Sequence, residues 1–402
     1  MTDRAPPAGR PPSHHSPTEG TSLLDRRAML GGLTGLGVGS FGLARFLGVT
    51  VAGTAAGLVS TGCDPHVAPQ LQFTFGSTGG GPGQFRTPRG IAWDSTNARI
   101  IVVDTTNHRV QQFAADGTFL STFGTNGTAT GQFAKPWGPE WDATNEQLFM
   151  SDRDNKRIQA FDAAGAFLFA FGGPGTGDGE FAEPTGMAYD PNNNRLYVTD
   201  TTNHRVQAFD GAGNFLFTFG GPGTGSGQFT NPNGIVIDQS TSRLFVSDRF
   251  NHRVQVFSLG GTFLSAFGDL GTELGQFNEP FGLAWDTRAG RIFVADWGND
   301  RVQFFGASLD VFGSIGATGS GPGQFDQPFD LAFDSTNARL LVTDSVNNRV
   351  QVWASPLDLP SKPAAPRSAR AAPVKWSADV HCYVGAVICN TENSAPRARI
   401  VR

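Results

Sequence analysis

Short runs of alternating apolar and polar residues fill positions 71–353 and return every 48 residues. One period shows four of them: GMAYD (186–190), RLYVTD (195–200), RVQAFD (205–210) and NFLFTFG (214–220). Alternation is clearest in the last run, where Phe215, Phe217 and Phe219 share one face, as in a half-buried strand. The runs are separated by turn residues: Pro191 with three Asn, Thr201-Thr202-Asn203, Gly211-Ala212-Gly213, and a Gly-rich linker from Gly221. The pattern predicts four antiparallel strands per period.

Six periods align without insertion on Phe85, Phe133, Phe181, Phe229, Phe277 and Phe325. A Pro follows each Phe by three residues, and an Asp follows each Pro by six. Such a repeat in Gly-rich, β-type sequence marks stacked supersecondary units. Six units of four strands predict an all-β fold, a six-bladed β-propeller. The sixth period stops near Trp353 without a fourth strand, and Leu71–Gly76 supplies one at the front. This N-terminal strand is expected to complete the last blade, closing the ring and removing an open sheet edge.

Comparison among the six copies separates frame from variation. Asp200, Asn203, Arg205 and Gln207 have counterparts in every period, so they are expected to be structural, with the Asp and Asn bonding backbone N–H groups of their own turn. The Arg is expected to fork to the Asp or bond a carbonyl. His108, His204 and His252 occupy one slot, filled by Lys156, Asp300 and Asn348 in the other copies. Three His spread over three blades cannot gather around one zinc, so no metal is assigned and they are read as exposed turn residues.

The repeated unit resembles the NHL repeat. It carries Gly-Gln/Glu-Phe, the Pro and Asp just described, and then strand residues running into Asp-x-x-Asn, Arg, Val/Ile, Gln and Phe. Asp330, Met150 and Trp353 depart from the Gly, Val and Phe of that pattern. The resemblance implies a six-bladed propeller that serves as a platform for protein or RNA ligands. A few relatives are enzymes, such as the amidating lyase and, more distantly, streptogramin lyase. Some animal members join the repeats to a RING finger, which three cysteines without ring-type spacing do not support here.

Composition and charge narrow the partners. The chain has 402 residues with 53 Gly and 34 Phe, suited to tight turns and a Phe-packed interior. Of a net charge of −5, residues 1–62 hold +2 and residues 354–402 hold +4, leaving −11 for 63–353. An acidic repeat region is a poor partner for phosphate backbones, which argues against nucleic acid.

Outside the repeats, residues 1–22 read as disordered and lead into Arg26-Arg27-Ala28-Met29-Leu30, similar to a twin-arginine export signal. The following run ends in Ser60-Thr61-Gly62-Cys63, similar to a lipoprotein processing site with Ser60 where Leu is usual. The reading is an exported protein of the periplasm or cell envelope, with a signal over 1–62, a linker over 63–70, and lipidation of Cys63 left open. A retained anchor is the alternative, although Phe46–Thr61 falls short of the roughly 20 residues a spanning helix needs. Residues 354–402 read as a Pro/Ala-rich linker and a small basic tail, in which Cys382 and Cys389 either pair or stay free.

Candidate chemistry lies where copies differ. The first variable place is the turn pair before the Asn, including Arg153, Arg249-Phe250 and Trp297; the second is the start of the innermost strand, with Arg89, Trp137, Phe281 and Phe329. Both are expected to open on one face around the channel, with Lys156, as exposed aromatics among cations that suit binding; the alternative is aromatics packed between blades. Glu140 replaces an Ala or Val of the other copies and Asp330 replaces a Gly, which makes them weak catalytic candidates. The sequence thus supports a monomeric, non-catalytic scaffold for a protein, peptide or glycan, with no cofactor. A lyase or hydrolase at the channel mouth is the alternative.

Overall fold

The computed structural model describes residues 69–355, which form six four-stranded antiparallel sheets. The third blade runs Pro184–Asp190, Arg195–Asp200, Arg205–Asp210 and Phe215–Gly220, matching the four runs of the sequence. The N-terminal strand Gln70–Phe75 pairs antiparallel with Arg349–Ala354, so the last blade is built from both ends of the repeat region. The export-like segment, Cys63, Cys382, Cys389 and the basic tail lie outside the described residues.

The core sits between blades. One cluster joins Phe149, Ile158 and Ala160 of the second blade to Phe181, Leu196 and Phe209 of the third. Each junction centres on a linker Phe with no exposed surface, such as Phe133 or Phe181. Phe133 packs 6.4 Å from Phe123 of the outer strand before it and 5.5 Å from Phe161 of the blade after it. A Cβ on Gly124 (φ +88°) would meet the Phe133 ring at 2.4 Å, so only Gly lets the outer strand end against that ring.

Two apparent irregularities compensate each other. The outer-strand Phe slot holds Ile315 in the fifth blade, and the facing Phe slot of the sixth holds Trp353. Ile315, Phe325 and Trp353 pack in one buried cluster, so a small residue opposite a large one keeps the junction filled.

Blades are also tied by hydroxyls. Thr201 Oγ1 donates to the Pro232 carbonyl at 2.7 Å, and Thr199 Oγ1 to the Asn233 carbonyl at 2.7 Å. Across the closure Thr343 Oγ1 donates to the Arg89 carbonyl at 2.7 Å, and Ser345 Oγ to the Pro88 carbonyl. Phe75 of the closing strand packs 4.8 Å from Phe113 of the first blade. Phe75→Ala is expected to cost about 2–3 kcal/mol, below the range for a fully enclosed Phe because Phe75 is half-buried. A urea-unfolding midpoint unchanged from wild type would show that the closing strand adds nothing to stability.

Candidate functional site

The repeated polar residues form one buried knot per blade. Asp200 has no exposed surface. Its Oδ1 accepts the Ala182 N–H at 2.9 Å, and its Oδ2 accepts Asn203 Nδ2 at 2.7 Å, Arg205 Nε at 3.0 Å and Gln207 Nε2 at 3.4 Å. Arg205 Nη2 reaches the Gly177 and Glu180 carbonyls, and Asn203 the Gly175 carbonyl. The structural reading of these residues stands, with one correction. The backbone N–H groups that Asp200 accepts are not those of its own turn, from which it takes only the Asn203 side chain, but those of the linker that precedes the innermost strand, which passes beside the carboxylate.

The His slot is a second correction. His204 Nδ1 accepts the Asn231 N–H at 3.1 Å, His252 Nδ1 accepts Glu279 N–H at 3.1 Å, and His108 Nδ1 accepts Lys135 N–H at 3.1 Å. Asp300 and Asn348 accept the equivalent N–H of Gln327 and Thr87 at 2.8 Å. The slot therefore holds an acceptor that ties each blade to the next. Lys156 cannot accept; at that junction the Glu183 N–H turns to Asp200 Oδ1 at 3.2 Å instead.

Two cavities of about 410 and 390 Å³ occupy the channel, and no residue lines both. Arg89, Trp137, Arg153, Arg249, Phe250, Phe281, Trp297 and Phe329 all line the smaller one; Lys156 does not. The exposure expected of these aromatics holds for only some of them. Phe250 is 43 % exposed and Trp297 is half-buried, but Trp137, Phe281 and Phe329 are buried. Nor do these three pack between blades. They meet across the channel, with Phe281 and Phe329 4.4 Å apart and Trp137 5.2 Å from Phe329. Innermost strands converge on the axis, so bulky residues in this slot touch and close the channel into a floor.

Three guanidinium groups lie on that floor. Arg89 stacks 4.0 Å from the Trp137 ring and 4.8 Å from Phe329; Arg153 stacks 4.4 Å from Trp137; Arg249 stacks 4.4 Å from both Phe250 and Phe281. Such stacking is favourable for partly desolvated cations. Arg153 ion-pairs with Glu183, and Arg249 Nε bonds Glu279 Oε2 at 2.9 Å. Burial, reinforced by repulsion from Arg153 and Arg249, pushes the Arg89 pKa down to about 10, which leaves it cationic at neutral pH. Sequence comparison missed Glu183 and Glu279. Both sit directly before the repeated Pro, in a slot that varies among the copies, and that variation was the available signal.

Glu140 and Asp330 line the larger cavity. Glu140 Oε1 accepts the Tyr189 N–H at 2.8 Å, and Asp330 Oδ2 accepts the Ile91 N–H at 3.1 Å. Each thus caps an edge N–H of the following blade's innermost strand. Both keep some accessible surface because they face the channel void, yet they lie deep in the ring. Burial pushes Glu140 up to about 8, with Asp330 and Asp142 adding repulsion, and pushes Asp330 up to about 7.

The chain matches the NHL-repeat family over residues 85–113 and a 6-bladed beta-propeller family over 191–267. Among solved structures it is similar to a structural-genomics protein of unknown function from Bacteroides thetaiotaomicron, at 15 % identity and TM-score 0.55, covering 71 % of this chain and 76 % of that one. It is also similar to a gluconolactonase from Xanthomonas campestris, at 16 % identity and TM-score 0.53, covering 73 % and 96 %. At these identities the likeness is one of fold. No protein of curated function matches the chain.

Proposed function

We propose that this six-bladed propeller of NHL repeats is a binding scaffold, holding a protein, peptide or glycan at the rim of its smaller channel cavity. One observation carries the reading. The residues that repeat are consumed in holding blades together, whereas those that vary converge from all six blades on one concave, cationic and aromatic site. The acidic repeat region argues against nucleic acid as that ligand. The export-like N-terminus supports a site of action outside the cytoplasm, in the periplasm or cell envelope, with an anchor at Cys63 if that residue is lipidated. The mass of the mature N-terminus tests cleavage and lipid together.

The binding reading is tested with immobilised propeller and a double variant, Phe250→Ala with Trp297→Ala. These rings are the exposed and half-buried ones, so the three buried rings of the floor are all kept, although Phe281 loses its contact with Trp297. Loss of both is expected to weaken capture of ligand at least ~10-fold, the scale of removing two aromatic anchors. Partners that stay bound to the double variant would place recognition elsewhere.

A second reading has one observation in its favour. Glu140 and Asp330 share a cavity and titrate near neutrality, as general acids and bases do. A lyase or hydrolase of this kind would gain support from a stoichiometric metal in the purified protein.

A further inference from the structure

Every other cation at the smaller cavity has a carboxylate. Arg153 holds Glu183 and lies 3.3 Å from Asp154, and Arg249 holds Glu279. Arg89 has none: among the described residues no hydrogen bond or ion pair engages its guanidinium, and its Nε is enclosed without an acceptor. Its contacts are the ring faces of Trp137 and Phe329. Of the three cations that line the cavity, Arg89 is the one without an ion-pair partner, and it sits among partly desolvated aromatics. A guanidinium stacked by its face keeps its N–H groups directed in-plane, where a carboxylate docks edge-on through two hydrogen bonds.

The geometry points to Arg89 as the docking point for a single carboxylate of the ligand, whose apolar body lies against Trp297 and Phe250. This rests on the binding reading of the same face. A single unpaired guanidinium suits a monoanion, while a phosphate dianion would add a second negative charge inside a repeat region already at −11. Carboxylates reach such a site from a peptide C-terminus or from an acidic sugar, and the chemistry at Arg89 is the same.

The probes are N-acetylphenylalanine, its C-terminal amide, glucuronate and inorganic phosphate, titrated into the propeller with calorimetry and tryptophan fluorescence as readouts. The acid is expected to bind at least ~10-fold more tightly than the amide, the factor carried by one charge-assisted contact. Arg89→Gln should abolish that difference. Glu183→Gln leaves Arg153 only its longer contact to Asp154 and should tighten the acid several-fold, an outcome that misfolding does not imitate. Preference for glucuronate over the amino-acid derivative would identify a glycan as the source, and the reverse a peptide; either supports the assignment. Equal binding of acid and amide, indifference to both substitutions, or phosphate binding at least as tight as the acid would overturn it. A partner lost in the aromatic double variant while acid and amide bind alike would sink the carboxylate site alone. Acid binding at Arg89 with the partner unaffected by that double variant would sink the scaffold reading alone.

Discussion

Asp200→Asn is expected to destabilise the propeller by about 3–5 kcal/mol, the cost of removing one partner from a buried ion pair. All groups facing Asp200 are donors: the Ala182 and Glu183 N–H, Asn203 Nδ2, Arg205 Nε and Gln207 Nε2. An Asn must turn its own NH₂ toward some of them, leaving the partly buried Arg205 without its counter-charge. The same change at Asp248 should cost about as much, because its Oδ1 accepts the Thr230 N–H at 2.7 Å and its Oδ2 faces Asn251, Arg253 and Gln255 in the same way. Urea unfolding of both variants checks this. A loss below ~1 kcal/mol at each would mean that the knot is not what holds linker to blade, and the structural role of the repeated motif would have to be abandoned.

The second large effect is one of pH. Glu140 is raised from 4.5 to about 8 and Asp330 from 3.8 to about 7, so the folded protein holds protons there that the unfolded chain releases. Between pH ~4 and ~8 the native state therefore binds more protons than the unfolded state, and stability falls as pH rises through that window. Glu140→Gln and Asp330→Asn keep an oxygen for the Tyr189 and Ile91 N–H groups and remove the proton. Each is expected to flatten the decline and to gain on the wild type by about 2–4 kcal/mol at pH 9, relative to their difference at pH 4. The effects should not add. Repulsion from Asp330 is part of what raises Glu140, so Asp330→Asn alone should also bring Glu140 down. Urea midpoints for the four proteins from pH 4 to 9 give the curves. Parallel curves for wild type and the double variant would show that both carboxyls titrate at ordinary values.

Much of this molecule is written in its period. The strands of each blade, the linker Phe and the closing N-terminal strand follow from alternation and spacing, because each is a local pattern stated six times. The frame role of Asp200, Asn203, Arg205 and Gln207 was legible for the same reason, although their bonding partners were not. Asp200 clasps a linker 18 residues away in sequence, and His204 accepts an N–H 27 residues away in the next blade. A slot that alternates His, Asp and Asn looked like free surface variation. In five of the six copies it is variation within one requirement, a hydrogen-bond acceptor, with Lys156 the exception, and chemical class reveals it where residue identity hides it.

The sequence by itself determined the number of blades, their register and which positions were released from structural duty. Only the tertiary structure decided what those released positions do together. Ring closure brings six equivalent slots around one axis, so whether Trp137, Phe281 and Phe329 face a partner or each other depends on the size of side chains on other blades. Charge behaves alike: Arg153 and Arg249 are neutralised by acids from the following blade, Arg89 is not, and Glu140 and Asp330 are raised by the depth of a channel that no single repeat encloses. Periodicity is a property of one unit read repeatedly, whereas contact and charge balance at an axis belong to all six at once.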